Sequence, residues 1–158
     1  MNKEDLIKHI AEYLEKGLPE NLVYRFSDIN FSTGYSRSYP SVVKPMLQLI
    51  DKAPGVSLVA TTNLMITNRG PMFLSDTAIN PNPSADDLAK IALMTEKTVR
   101  MFGVEPVMAM VSYSNFGSSD SPNVHKVRDA VAYLHKYYPD LIVDGEIQAD
   151  FALNPEMI

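Results

Sequence analysis

The 158-residue sequence predicts an α/β fold, a three-layer α/β/α domain with a partly parallel mixed sheet. Three observations predict it. From residue 56 onward, β-branched and aliphatic runs of strand length alternate with segments of helical period. One of those runs, "EPVMAMVSY" (105–113), is almost continuously apolar, the pattern of a strand covered on both faces. Two helices carry start signals, Ser84 with Asp87 three residues on, and Ser121 directly before Pro122.

Taken in order, Leu6, Ile7, Ile10, Ala11 and Leu14 recur at helical spacing, so an amphipathic helix opens the chain and stops at Gly17 with Pro19 beyond. "LVYRF" (22–26) fits a short strand, and "DINFSTGYSRSYP" (28–40) has no period and reads as loop. A second helix spans about 42–51, with Pro45 in its first turn. "VSLVATTNLMIT" (56–67), the turn "NRGP" (68–71) and "MFLSD" (72–76) form a β-hairpin. "TAINPNPS" (77–84) is a proline-stiffened loop ending at the cap Ser84. Leu88, Ile91, Ala92, Thr95, Val99 and Phe102 mark the inner face of the next helix, which Gly103 ends. After the apolar strand and a polar loop, Val124, Val127, Val131 and Leu134 form the buried stripe of a helix that Pro139 stops. "LIVDG" (141–145) is a last strand, and "EIQADFALNPEMI" (146–158) starts as helix and breaks off. There is no internal repeat, low-complexity tract or linker.

Composition narrows the function classes. The net charge of −5 opposes a nucleic acid or an anionic membrane as the main partner, because each needs a basic face. A local basic pocket for a small anion stays open. With no cysteine, disulfides, thiolate metal sites and a cysteine nucleophile are out, which fits a reducing, cytoplasmic setting. No stretch reaches the roughly 20 apolar residues of a membrane span, and "MNKEDLIKHIAEYLEKG" has no signal-peptide core.

The polar stretch "YSNFGSSDSPNV" (113–124) joins a strand to a helix. Unpaired N–H groups and a helix N-terminus suit an anion there, Ser114, Asn115, Ser118 and Ser119 add donors, and Gly117 lets backbone approach closely. It is not a Walker loop, since no Gly-Lys-Ser/Thr follows. A surface turn that merely caps the following helix is the other reading. "STGYSRSY" (32–39) is similar in kind: Ser32, Thr33 and Gly34 offer donors, Arg37 a bidentate fork, with Lys44 further on. A solvated surface arginine is the plainer account. His9 and His135 have no ligand-spaced partner, and His125 faces Asp129 one turn later, a helix pair. Asp144, Glu146 and Asp150 are of a type that binds divalent metal, but their loose spacing reads as a solvated acidic edge, and no metal site is expected.

"NRGPMF" (68–73), "DTAINPNP" (76–83) and "SYSNFGSSDS" (112–121), in this order, resemble the phosphate acetyl/butyryl transferase family. The wording is nearest to the C-terminal transferase-like region of bacterial NADP-dependent malic enzymes. The resemblance runs from about Phe31 to the end, so residues 1–30 form an unmatched lead-in and 31–158 a partial transferase-like domain. It implies the second domain of the phosphotransacetylase (isocitrate/isopropylmalate dehydrogenase-like) fold, beside a cleft that holds acyl-CoA and phosphate. It places Ser32, Thr33, Gly34 and Arg37 at the cleft edge, with Asn80, Asn82, Asp144 and Glu146 close by. The loop of Ser114, Asn115, Gly117, Ser118 and Ser119 then faces the ligand. Lys44 stands where the transferases have arginine, keeping charge without the fork. The family's Ser-Arg-Gly segment and the NADP-, metal- and malate-binding domains of a malic enzyme are not in this sequence. The chain alone is therefore expected to hold no cofactor and to perform neither acetyl transfer nor malate oxidation. The expected role is an acetyl-CoA- or phosphate-binding module in a homo-oligomer, with acetyl-CoA as regulatory ligand. Part of an active phosphate acetyltransferase, or a structural dimerisation domain, are the alternatives.

Overall fold

The computed structural model describes Lys52 and residues 55–154. The helices expected at 6–14 and 42–51, the strand at 22–26 and the Ser32–Lys44 group lie outside them. The described residues form an α/β arrangement: β1 (Thr62–Thr67), β2 (Gly70–Ser75), α1 (Ala85–Met101), β3 (Val107–Val111), α2 (Pro122–Tyr137), β4 (Ile142–Ile147) and α3 (Ala149–Ala152). The chain divides into two compact units between Asn80 and Pro81.

In the first unit β1 and β2 pair antiparallel, from Thr62 opposite Ser75 to Thr67 opposite Gly70. The turn is Asn68–Arg69 alone, tighter than the four residues expected, and Gly70 and Pro71 belong to the returning strand. Thr67 closes the turn: its hydroxyl donates to the Gly70 carbonyl at 2.8 Å and accepts from Arg69 N–H at 3.1 Å. β1 starts six residues later than the sequence pattern suggested, at Thr62.

In the second unit β3 and β4 lie parallel, Val107 opposite Ile142 and Ala109 opposite Asp144. Parallel neighbours need a crossover, and α2 supplies it. The core joins Ala89 and Ala92 of α1, Ala130 and Leu134 of α2, and Leu141 and Val143 at β4, with Leu88, Leu93, Met108 and Met110 packed around them. The alanines let the two helices approach, and burying Leu134 completely contributes about 2 kcal/mol. β3 departs from expectation. Its residues alternate, Met108 and Met110 turned to the core, while Val107 is 75% and Val111 57% exposed. Among the described residues, its apolarity therefore marks one face packed on the helices and one face that they leave open.

Local signals act as the sequence suggested at α1. Ser84 accepts from Asp87 N–H at 3.1 Å, and Asp87 accepts from Ser84 N–H at 3.0 Å, a complete capping box. Ser84→Ala is expected to lower stability by about 1 kcal/mol, read as a shift in urea midpoint; an unchanged midpoint would show that α1 is held by packing alone. α2 differs. Ser121 occupies its cap position, yet its hydroxyl makes no cap bond and pairs instead with the Tyr113 hydroxyl.

Candidate functional site: the loop between β3 and α2

Because β3 and β4 are parallel, both end at the same edge. The loop after β3 meets residues 146–148, the end of β4 and the residue that follows it, there. Ser112 N–H reaches the Ile147 carbonyl at 2.9 Å, and Phe116 N–H the Glu146 carbonyl at 2.9 Å. Asn115 and Gln148 clasp each other: Asn115 Nδ2 donates to Gln148 Oε1 at 3.0 Å, and Gln148 N–H to Asn115 Oδ1 at 2.7 Å. Gln148 Nε2 also donates to the Tyr113 carbonyl at 2.6 Å.

The loop does hold an anion, and the anion is the chain's own Glu146. Glu146 is fully buried. Its Oε1 accepts from Gly117 N–H at 2.7 Å, from Ser114 Oγ at 3.0 Å and from Arg128 Nη2 at 3.1 Å, while Oε2 accepts from Arg128 Nε at 3.0 Å. Burial pushes the carboxyl up, but the Arg128 hydrogen bond outweighs it, and with Gly117 N–H, its own N–H and Ser114 lowers it to about 2. Ser114, itself buried, also accepts from Ser119 N–H at 3.1 Å and pairs with the Ser118 hydroxyl at 3.0 Å. Ser118 in turn accepts from Asn115 N–H at 2.9 Å. Arg128 Nη2 reaches the Ser119 carbonyl at 3.3 Å. A loop crosslinked this way is preformed, and its inward donors are occupied.

The acidic edge expected from Asp144, Glu146 and Asp150 is thus corrected at its centre. Strand alternation alone would set Glu146 on the bare face with Asp144. A register shift between Met110 and Val111, where Val111 pairs with Ile147, leaves Glu146 as an inserted residue and turns it toward the loop. Gly145 permits this with φ +143° and lies against Met110. The Gly145–Glu146 peptide is cis. Asp144 stays exposed and accepts from Gly145 N–H at 2.8 Å.

The remaining expected residues separate by unit. Asn80 belongs to the first, where its Nδ2 donates to the Val59 carbonyl at 2.9 Å. Asn82 belongs to the second, and its Oδ1 accepts from Lys126 Nζ of α2 at 2.7 Å. His125 pairs with Asp120 of the loop, not with Asp129. Gly117 and Ser118 are exposed, Asn115 and Ser119 half-buried. Sequence reasoning missed Arg128, Gln148, Lys126 and Phe116. The one available cue for Arg128 was an arginine directly beside the valine stripe of α2; Glu146 gave none, since its direction depends on the inserted residue.

The comparisons with known proteins agree with this architecture. The family model described as phosphate acetyl/butaryl transferase matches residues 30–158. A phosphate acetyltransferase of Clostridium acetobutylicum is 42% identical over 123 residues, covering 73% of this chain and 37% of that protein. An NADP-dependent malic enzyme of Haemophilus influenzae is 38% identical over 121 residues, covering 77% of this chain and 16% of that protein. Among solved structures, a phosphotransacetylase from Streptococcus pyogenes matches with TM-score 0.66 and 39% identity over 78% of this chain and 38% of that one. EutD phosphotransacetylase from Staphylococcus aureus matches with TM-score 0.62 and 28% identity over 98% of this chain and 53% of that one. The chain therefore spans well under two thirds of each of these relatives. With an α/β fold, a preformed loop at the carboxyl edge of its parallel strands and a family match along most of its length, this chain belongs to the phosphate acetyl/butaryl transferase family.

Proposed function

We propose that this chain forms part of an acyl-CoA- and phosphate-binding module, in which acetyl-CoA acts as a regulatory ligand of a malic-enzyme-type parent. The observation that carries the reading is the place of the loop. Open α/β sheets take ligands beyond the carboxyl ends of their parallel strands, and there β3 and β4 present a crosslinked loop with Gly117 and Ser118 outward. The carboxylate of Glu146 is taken up by Arg128 and the loop's inner donors, so the loop offers an outward ligand its shape and its outer polar groups. Asn82, Asn115, Ser118 and Ser119 enter the proposal as polar contacts. Ser32, Thr33, Gly34, Arg37 and Lys44 enter it on the family resemblance alone.

Calorimetric titration of acetyl-CoA, and separately of inorganic phosphate, into the 158-residue chain tests it. Saturable heats and a rise in melting temperature are expected, about 2.7 kcal/mol of stabilisation at a ligand concentration of 100 Kd. Arg37→Ala is expected to weaken phosphate about tenfold, the worth of a charge-assisted hydrogen bond. No heat and no thermal shift with either ligand would end the proposal. A second reading, part of an enzyme moving acetyl between CoA and phosphate, is favoured by the 42% identity to a phosphate acetyltransferase. Its chemistry would be positioning of the thiolate and acetyl phosphate, with oxyanion stabilisation by loop N–H groups and Arg37. Acetyl-CoA formation from acetyl phosphate and CoA separates the two.

A further inference from the structure

We infer that Phe116 is a stacking platform for the planar ring of a nucleotide-bearing ligand, and so selects between the two kinds of ligand in the proposed site. The inference rests on the acyl-CoA reading above and deepens it. Phe116 has φ +42° and the residue is 56% exposed. A bulky residue in that region of backbone space is an outlier that the surroundings must enforce. They do so here: Phe116 N–H is bound to the Glu146 carbonyl at 2.9 Å, Gly117 N–H to Glu146 Oε1 at 2.7 Å, and the Asn115 side chain to Gln148 on the other flank. Folding gains less from a residue left more than half exposed than from a buried one, and glycine or asparagine would suit the backbone better. What the arrangement yields is an aromatic face held at a fixed place on the outer side of the loop, at the strand edge where ligands dock.

Aromatic side chains stack on any nucleobase, because every base has a π-face. An acyl-CoA carries one planar ring system, its adenine; inorganic phosphate and the acyl-pantetheine arm carry none. Phe116 accordingly contributes to acetyl-CoA binding and not to that of phosphate.

The test uses the full 158-residue chain with Phe116→Ala, Phe116→Tyr and Phe116→Gly, each titrated with acetyl-CoA, S-acetylpantetheine and inorganic phosphate. Phe116→Ala is expected to raise the acetyl-CoA Kd about 5- to 100-fold and to leave the other two ligands unchanged. Phe116→Tyr keeps the stacking face and retains affinity. Phe116→Gly is expected to lose acetyl-CoA affinity like alanine while its Tm holds or rises, because it relieves the positive φ; a purely structural residue would lose both. With a wild-type chain that binds acetyl-CoA, unchanged affinity in Phe116→Ala overturns the inference. An equal loss for all three ligands overturns it too, as does a change of oligomeric state on size exclusion, which would make the ring a subunit contact. A wild-type chain that binds none of the three overturns the acyl-CoA reading itself.

Discussion

Glu146→Gln is expected to lower stability at pH 7 by about 2–3 kcal/mol, and the deficit is expected to shrink as the pH falls. The glutamine oxygen can still accept from Ser114 and Gly117, but its amide would point donors at Arg128 Nε, now 3.0 Å from a carboxylate oxygen. The loss stays below the roughly 3–5 kcal/mol typical of fully buried pairs, since the Arg128 side chain is 41% exposed and water can rehydrate it. The sign of the pH effect follows from linkage. The wild-type carboxyl sits at about 2 in the folded chain, below its ordinary 4.5, because Arg128 and the loop donors favour the charged form. Its contribution is present above about pH 5 and is lost as the pH drops through 4.5 toward 2. The glutamine variant has no such group to titrate, so the two unfolding curves should converge in acid. Urea unfolding at several pH values between 7 and 3 measures this. A constant difference across that range would mean that Glu146 is not paired in the folded protein.

Gly145→Ala is expected to be comparably damaging, about 2–5 kcal/mol, for steric reasons alone. A Cβ at this position would lie 2.6 Å from the Met110 carbonyl oxygen and 3.0 Å from Met110 Cβ, and the φ of +143° is one that side chains rarely adopt. The oxygen is backbone within the parallel pair, so relief requires β3 and β4 to part. Gly117→Ala is the control. Its φ of +93° is also unfavourable, yet the nearest atom is the end of the Arg128 side chain at 4.0 Å, so only the backbone term of about 1–2 kcal/mol remains. Thermal melts of the two variants should differ by several degrees. Equal melting temperatures would show that the close approach at Met110 yields without cost.

Features set by a few consecutive residues were legible in the sequence. The hairpin, the capping box of Ser84 and Asp87, and the valine stripe of α2 each depend on spacing within one element. The three family phrases were legible for the same reason, since the loop and its neighbours carry them as contiguous words. Features that depend on a partner were not. Continuous apolarity in β3 is compatible with one covered face or two, and the bare side of Val107 and Val111 is visible only once α1 and α2 are placed. Ser121 reads as a cap until Tyr113 takes its hydroxyl.

The loop shows the division most clearly. Its composition determined by itself that it would offer many donors near a helix start and stay flexible enough at Gly117 to wrap something negative. Which negative group it wraps was decided only in three dimensions. Glu146 is 29 residues from Gly117 and 18 from Arg128 along the chain, and strand periodicity alone would set it on the open face. One inserted residue, tolerated because Gly145 has no side chain to strike Met110, turns that carboxylate inward. Local spacing encodes elements because neighbours in sequence are neighbours in space; the loop's inner partner arises from a register between two strands separated by a helix, and that register is a property of the packed sheet.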